Sequence, residues 1–368
     1  MRPRDLSANA PYDPGRGVEE VARELGLDPD DLVKLSSNEN PHGPSPKAVE
    51  AIREAAGEAG VYPTAAHADL TEKLADRRGV DPEQVWVTPG ADGALDYLSR
   101  AMLEPDDRVL APEPGFSYYG MSARYHHGTV GTYPLSKSDG FAQTADGVLD
   151  AYDGERMIHV TTPHNPTGSE LPREELLALL DGVADHTLVV VDEAYVEFSE
   201  SASAIDLLAG HENLAVTRTF SKAYGLAGLR IGYAVVPPEW ADAFARVNTP
   251  FAASAVALAA ADAALDDGEH VERSVESARW AREHITENLE ARTYDSAANF
   301  VLADVGDGTA VAEAAKERGV IVRDTSSFGL PGCIRVSCGT ESETRRAVET
   351  LNEVVAEVDA AADLEAEA

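Results

Sequence analysis

Short apolar runs alternate with longer amphipathic stretches along most of this chain, and the alternation predicts its architecture. The runs at Val85–Thr88, 108–111, Met157–Thr161, Leu188–Asp192 and 214–217 are apolar at most positions. Strands buried on both faces read this way. Helical patterns between several of them predict crossover connections and a mostly parallel sheet. Ser45-Pro46 supplies an N-cap and first-turn pair for a helix carrying Val49 and Ile52. One more strand, 229–236, ends at Pro237-Pro238.

The pattern changes near Asn248-Thr249-Pro250. An alanine-rich helix over 252–265 and a long helix over 270–292 follow, then strands at 299–303, 320–323 and 334–337 with a helix at 309–318 and another from Glu341. This is a second, smaller α/β unit. The expected organisation is an arm and the start of the small unit over 1–34, a large unit over 35–248 and the small unit over 249–368. The acidic end, DAAADLEAEA, lacks apolar anchors and is expected to fray. No internal repeat is visible.

Charge narrows the possibilities. Acidic residues outnumber basic ones 65 to 30, for a net charge of −35. Such a surface repels phosphate backbones, which disfavours a nucleic-acid partner. Self-repulsion on this scale becomes tolerable at molar salt, where the screening length falls to about 3 Å. The composition therefore points to a high-salt cytoplasm. No run of about 18 apolar residues exists, so no membrane-spanning helix is expected. The start, MRPRDLSANAPYDPGRG, has no apolar secretory core. Cys333 and Cys338 are too few for a disulfide framework, and His126-His127 has no partner at zinc-ligand spacing, so no metal is expected.

Lysine occurs only at positions 34, 47, 73, 137, 222 and 316. Lys222 stands in TRTFSKAYGLAGLRIGY, residues 217–233, a stretch with no acid. Thr219, Ser221 and Arg230 surround it with hydroxyls and a guanidinium, the donors a phosphate prefers, while its amine can condense with a carbonyl. An exposed loop lysine is the plain alternative. Three further polar elements fall at strand ends, where open α/β sheets collect ligands. Thr88-Pro89-Gly90-Ala91-Asp92-Gly93 opens a helix whose unpaired amides suit a phosphate, although an ordinary capped turn explains it equally. Asp192 ends LVVVD, where a buried carboxylate needs a cation: a protonated pyridine nitrogen, or an arginine. Tyr195 follows three residues on, within reach of the same partner. In TPHNPTG, Asn165 precedes Pro166 and is held out of helical conformation.

The order and spacing of these elements resemble the fold-type I pyridoxal-phosphate (PLP) aminotransferases. PYDPGRGVEEVARELGL at 11–27, LSSNENPHGPSP at 35–46, RTFSKAYGLAGLRIGY at 218–233 and GVIVRDTSSFGLPGCIRVSCGT at 319–340 resemble the histidinol-phosphate aminotransferase family over nearly the whole chain. The resemblance implies an α/β fold with a mostly parallel sheet of the seven-stranded type, a smaller α/β domain and a homodimer. It implies that Lys222 carries the cofactor aldehyde and moves a proton, that Asp192 pairs with the pyridinium, and that Tyr195 and Asn165 bond the 3′-oxygen. Phe116 stacks on the ring; Ala91, Asp92, Thr219, Ser221 and Arg230 hold the phosphate; Tyr62 reaches the neighbouring subunit's phosphate. Arg323, Arg335 and the arm residue Tyr12 take the substrate. Asn38, Glu39 and Asn40 line the same mouth.

The chain departs from the family at His164, usually Asn, and at Gly93, commonly acidic. The activity implied is transfer of the amino group of histidinol phosphate to 2-oxoglutarate. A threonine-phosphate decarboxylase-type lyase needs the same lysine, aspartate and arginines, but its relatives read N-I-N-P where this chain has Asn38-Glu39-Asn40-Pro41. An aromatic amino-acid aminotransferase also remains open, since Arg335 can hold a carboxylate. A non-catalytic binding protein on this fold predicts erosion of Lys222 or Asp192, and both are present.

Overall fold

The computed structural model describes residues 1, 5–9, 11, 17–63 and 67–366. Among the described residues, twelve strands occur in chain order: β1 (Val33–Leu35), β2 (Val85–Thr88), β3 (Arg108–Glu113), β4 (Thr129–Pro134), β5 (Met157–Thr161), β6 (Leu188–Asp192), β7 (Leu214–Thr219), β8 (Gly232–Val235), β9 (Arg292–Thr293), β10 (Phe300–Asp304), β11 (Val320–Asp324) and β12 (Cys333–Ser337). They form a seven-stranded sheet of order β2-β8-β7-β6-β5-β3-β4 and a five-stranded sheet of order β1-β11-β12-β10-β9.

Within the large sheet only β8 runs against its neighbours β2 and β7. The other pairings are parallel, which is the sheet expected from the apolar runs. Period-2 alternation divides their side chains between two cores. In β6, Val189 and Val191 join Leu179 and Ile205 on one face, while Leu188 and Val190 join Trp86, Leu95 and Tyr119 on the other. Helices thus cover both faces, and the sheet is a rigid floor whose parallel strands end together along one edge.

Several elements differ from the expectation. β4 escapes a search for apolar runs because, as an edge strand, most of its side chains are exposed. The expected strand over 229–236 shortens, because Ala227–Leu229 form a 3₁₀ turn and Arg230 takes a left-handed conformation at φ 53°. The helices expected over 252–265 and 270–292 run Ala255–Leu265 and Gly268–Asn288. The helix from Glu341 continues to Ala366 rather than fraying from 359, since Ala, Leu and Glu are strong helix formers.

β1 pairs in parallel with β11, placing Val33 opposite Val320. The small sheet therefore takes an edge strand from ahead of the large sheet, and residues 36–40 cross directly from one unit to the other. Cys333 lies on β12 and Cys338 beyond it, both buried free thiols. Among the described residues no helix is long and apolar enough to cross a membrane.

Candidate active site

Because β5, β6 and β7 are parallel and in register, their carboxyl ends bring Thr161, Asp192 and Thr217 side by side. Asp192 is buried and takes its partners from three directions. Its Oδ2 accepts from the Tyr119 hydroxyl at 2.8 Å, its Oδ1 accepts from the Ala194 amide at 3.1 Å, and the Thr217 hydroxyl lies close by. Burial raises its pKa to about 6, against the opposing pull of the Tyr119 and Ala194 bonds, with Asp92 adding to the rise. No arginine or lysine pairs with it among the described residues. Of the two partners left open by the sequence, the structural one is therefore absent, and the carboxylate faces a cavity.

Lys222 follows β7 on a turn that runs close to Gly43. Gly225 sits in that turn at φ 69°, and a Cβ there would overlap the Gly43 carbonyl, so this position requires glycine. The Lys222 ammonium points into the same cavity, 3.3 Å from the Ser37 carbonyl and 5.6 Å from the Tyr195 ring centre. Burial, with the Arg335 guanidinium, lowers its pKa to about 8. At neutral pH roughly a tenth of such amines are uncharged, against well under a thousandth for an ordinary lysine. A nucleophilic amine needs that neutral form.

The cradle expected for a phosphate is assembled at the start of the helix Gly90–Met102. Ala91 and Asp92 lie in its first turn, where amides are unpaired. Arg230 reaches across to Asp92 at 3.0 Å and to the Ser221 hydroxyl at 3.4 Å, and Ser221 accepts from Thr219 at 2.9 Å. Two glycines keep this space open. A Cβ at Gly90 would lie 2.5 Å from the Arg230 guanidinium, and one at Gly232 would lie 2.8 Å from the Ala91 nitrogen.

Opposite this cradle, Arg335 donates to Asn165 Oδ1 at 2.5 Å and to the Ser36 carbonyl at 2.9 Å. It lies between two rings, 5.2 Å from Phe300 and 5.6 Å from Phe328. Arg323 lies 5.7 Å from that same Phe328 ring and bonds Ser327. Asn165 spends its oxygen on Arg335, which leaves its amide nitrogen for a ligand oxygen. Tyr195, whose pKa burial raises, accepts from Asn38 Nδ2 at 3.1 Å and so keeps its own proton to donate. Phe116 lines the cavity wall.

These groups enclose one cavity of about 600 Å³, which Ala8 and Pro11 of the N-terminal arm also line. Of the residues singled out from the sequence, Lys222, Asp192, Tyr195, Ala91, Asp92, Phe116, Asn165, Thr219, Ser221, Arg230, Arg323 and Arg335 all border it. Tyr12 lies outside the described residues. Tyr62 does not enter the cavity of its own chain; it stacks on Phe251 at 4.7 Å on the surface and is 79% exposed.

Of the three residues expected at the mouth, only Asn38 lines the cavity. Glu39 instead pairs with Lys34 at 2.7 Å, and Asn40 ties the Ala223 carbonyl to Ser274. His164 is buried against Thr167 at 2.8 Å, its pKa lowered by burial to about 3, so it is a neutral structural group. Gly93 makes room for Pro89, since a Cβ there would lie 2.6 Å from the proline ring. Sequence reasoning missed Tyr119. The signal lay in the second tyrosine of PGFSYY, three residues beyond Phe116 and one helical turn from it.

The donor set fits pyridoxal phosphate: a carboxylate without a cation at one end, an amine with a lowered pKa at the other, and a hydroxyl–guanidinium cradle beside a helix start. The profile of the family "Aminotransferase class I and II" matches residues 30–351. The histidinol-phosphate aminotransferase of Haloferax volcanii is 71% identical over 97% of this chain and 99% of its own. Among solved structures, the histidinol-phosphate aminotransferase of Sinorhizobium meliloti in complex with pyridoxal-5′-phosphate superposes with a TM-score of 0.87 at 29% identity, over 97% of this chain and 98% of that one. The aspartate aminotransferase of Thermus thermophilus with maleate gives 0.81 at 28% identity, over 96% and 100%. The chain belongs to the PLP-dependent class I and II aminotransferases, in their histidinol-phosphate aminotransferase branch.

Proposed function

We propose that this enzyme transfers the amino group of L-histidinol phosphate to 2-oxoglutarate, giving imidazole acetol phosphate and glutamate in histidine biosynthesis. The observation that carries the reading is the opposition, across one cavity, of Lys222 and Asp192 to the paired guanidiniums of Arg323 and Arg335. Histidinol phosphate carries a phosphate where amino acids carry a carboxylate, and glutamate carries two carboxylates. A planar guanidinium accepts either anion through paired bonds, so one site serves both substrates in turn.

Bound in this cavity, the cofactor supplies an aldehyde and an electron-withdrawing ring that makes the substrate's amine-bearing carbon acidic. Asp192 holds the ring nitrogen in its cationic form. Lys222 Nζ, neutral in part at physiological pH, would take the proton from that carbon and deliver it to the carbon that was the cofactor's aldehyde. Asn165 Nδ2 and the Tyr195 hydroxyl donate to the ring oxygen. Ala91, Asp92, Thr219, Ser221 and Arg230 hold the cofactor phosphate, and Phe116 covers the ring face. Tyr12 is assigned to the substrate on the sequence resemblance alone.

The protein works as a homodimer in the cytoplasm. Val61, Tyr62 and Phe251 form an exposed apolar patch of the kind a partner subunit covers, with Tyr62 delivered to that subunit's phosphate. The test is a paired assay in molar KCl. Histidinol phosphate with 2-oxoglutarate should yield glutamate, and phosphothreonine should release no carbon dioxide. Carbon dioxide from the second without glutamate from the first means a lyase.

A further inference from the structure

Asp192 sits between opposing demands. Burial favours the protonated acid, whereas pairing with a ring cation needs the anion. Tyr119 stands where it decides the balance. It is 1% exposed, and its hydroxyl lies 2.6 Å from Thr161 Oγ1 and 2.8 Å from Asp192 Oδ2. A carboxylate can only accept, so the tyrosine proton points at Asp192, and Thr161 must then donate to the tyrosine oxygen. A one-way chain Thr161→Tyr119→Asp192 results. It polarises the tyrosine hydroxyl, each donor strengthening the next.

The tyrosine ring is itself fixed. It stacks on His159 at 4.7 Å with the planes 13° apart, and meets Phe116 edge-on at 5.5 Å. His159 is fully buried, and neither ring nitrogen has a hydrogen-bond partner among the described residues. Burial lowers its pKa to about 3. The imidazole is therefore a neutral plate, adding no positive charge beside Asp192. The other groups facing the carboxylate are Thr217 from β7, Asp92 from the helix Gly90–Met102, the Ala194 amide and Tyr195 from the turn after β6, and Lys222 across the cavity.

Resting on the PLP reading above, we propose that Tyr119 is a positioning residue that, backed by Thr161 and clamped by His159, keeps Asp192 an oriented anion ready for the cofactor's ring nitrogen. The sign follows from the geometry. Each hydrogen bond to the carboxylate favours its ionised form, so removing the tyrosine hydroxyl leaves only the Ala194 amide and Thr217 to oppose burial. Asp192 then takes up its proton at higher pH, and affinity for the ring is lost from a higher pH downward.

The test is equilibrium binding of pyridoxamine 5′-phosphate to the apoprotein in molar KCl between pH 5 and pH 9. This form of the cofactor has no aldehyde and cannot condense with Lys222. Tyr119→Phe keeps both ring contacts and removes only the hydroxyl. A shift of about one pH unit in the Asp192 midpoint makes the variant bind about fivefold more weakly at pH 6 and close to tenfold at pH 5. Above about pH 8 the two proteins converge. Thr161→Val should move the midpoint the same way by less.

In an Asp192→Asn background, adding Tyr119→Phe should leave the pH profile where it was. Weakening by one factor at all pH values, no change, or a shift that persists without Asp192 overturns the proposal. Failure of the unmodified protein to bind pyridoxamine 5′-phosphate at any pH would instead sink the cofactor reading itself.

Discussion

Asn165 accepts a hydrogen bond from Arg335 at 2.5 Å through Oδ1, which leaves its amide nitrogen as a donor beside the cavity that both residues line. One side chain thus joins the group assigned to the substrate anion to the group assigned to the cofactor's ring oxygen. Arg335→Gln is expected to raise KM for histidinol phosphate and for glutamate alike, by about a hundredfold, the scale of one lost charge-assisted contact. Steady-state kinetics of both half-reactions check this. A defect in one half-reaction alone would mean that the two anions are held by different groups. Asn165→Ala should raise KM less, by about tenfold, and lower kcat as well, because the ring oxygen loses a donor.

Lys222 has its pKa lowered to about 8, so the neutral amine accumulates as pH rises through that value. Rapid mixing of apoprotein with pyridoxal phosphate should show capture accelerating up to about pH 8 and levelling beyond it. A rate still climbing at pH 10 would show that the amine titrates like an ordinary lysine. Lys222→Ala should bind the cofactor noncovalently, lose the visible absorption band of the loaded protein and retain no measurable transamination.

Gly232→Ala places a methyl group 2.7 Å from the Gly90 carbonyl carbon and 2.8 Å from the Ala91 nitrogen, all of it against backbone. Backbone cannot rotate away as a side chain can. The expected result is a displaced cradle and a cofactor affinity at least tenfold weaker, measured by dialysis. Normal affinity would place the phosphate elsewhere.

Salt should act on two classes of charge differently. With a net charge of −35, the melting temperature is expected to rise steeply from dilute buffer to molar KCl as repulsion is screened. The pair Arg218–Glu193, at 2.8 Å with side chains 5% and 1% exposed, lies beyond the reach of that screening. Glu193→Gln leaves the buried guanidinium with Glu197, at 3.1 Å, as its remaining carboxylate partner, and should cost about 1.5–3 kcal/mol at every salt concentration. Denaturant melts at two salt levels decide this, and a penalty that shrinks in molar KCl would show the pair to be solvent-accessible.

Much of the site was legible because parallel strands leave their polar residues together at one edge. Asp192 and Lys222 needed only a strand end and a local composition to stand out. Tyr119 gave no such sign: a tyrosine on an apolar helix face looks like core until Asp192 is seen beneath its hydroxyl. The partners of Asn38 at the mouth cannot be read locally, since its contacts with Tyr195 and Ser337 span 157 and 299 residues. The edge strand β4 stayed hidden because solvent contact removes the apolar signal that marks its buried neighbours. Tyr12 lies outside the described residues, and the role proposed for Tyr62 needs a second subunit to test it.

The pairing of β1 with β11 also sets a clock. Val33 leaves the ribosome 287 residues before its partner Val320. At about 5–20 residues per second that interval is roughly 15–60 s. Throughout it the edge strand β1 lacks its partner β11, and the crossing segment 36–40 has only the large unit to rest on. The large sheet, complete by Val235, can form first and serve as a template. The catalytic cavity is then among the last features to close, so a chain released short of β11 would carry Lys222 and Asp192 on a folded floor without the opposing guanidiniums.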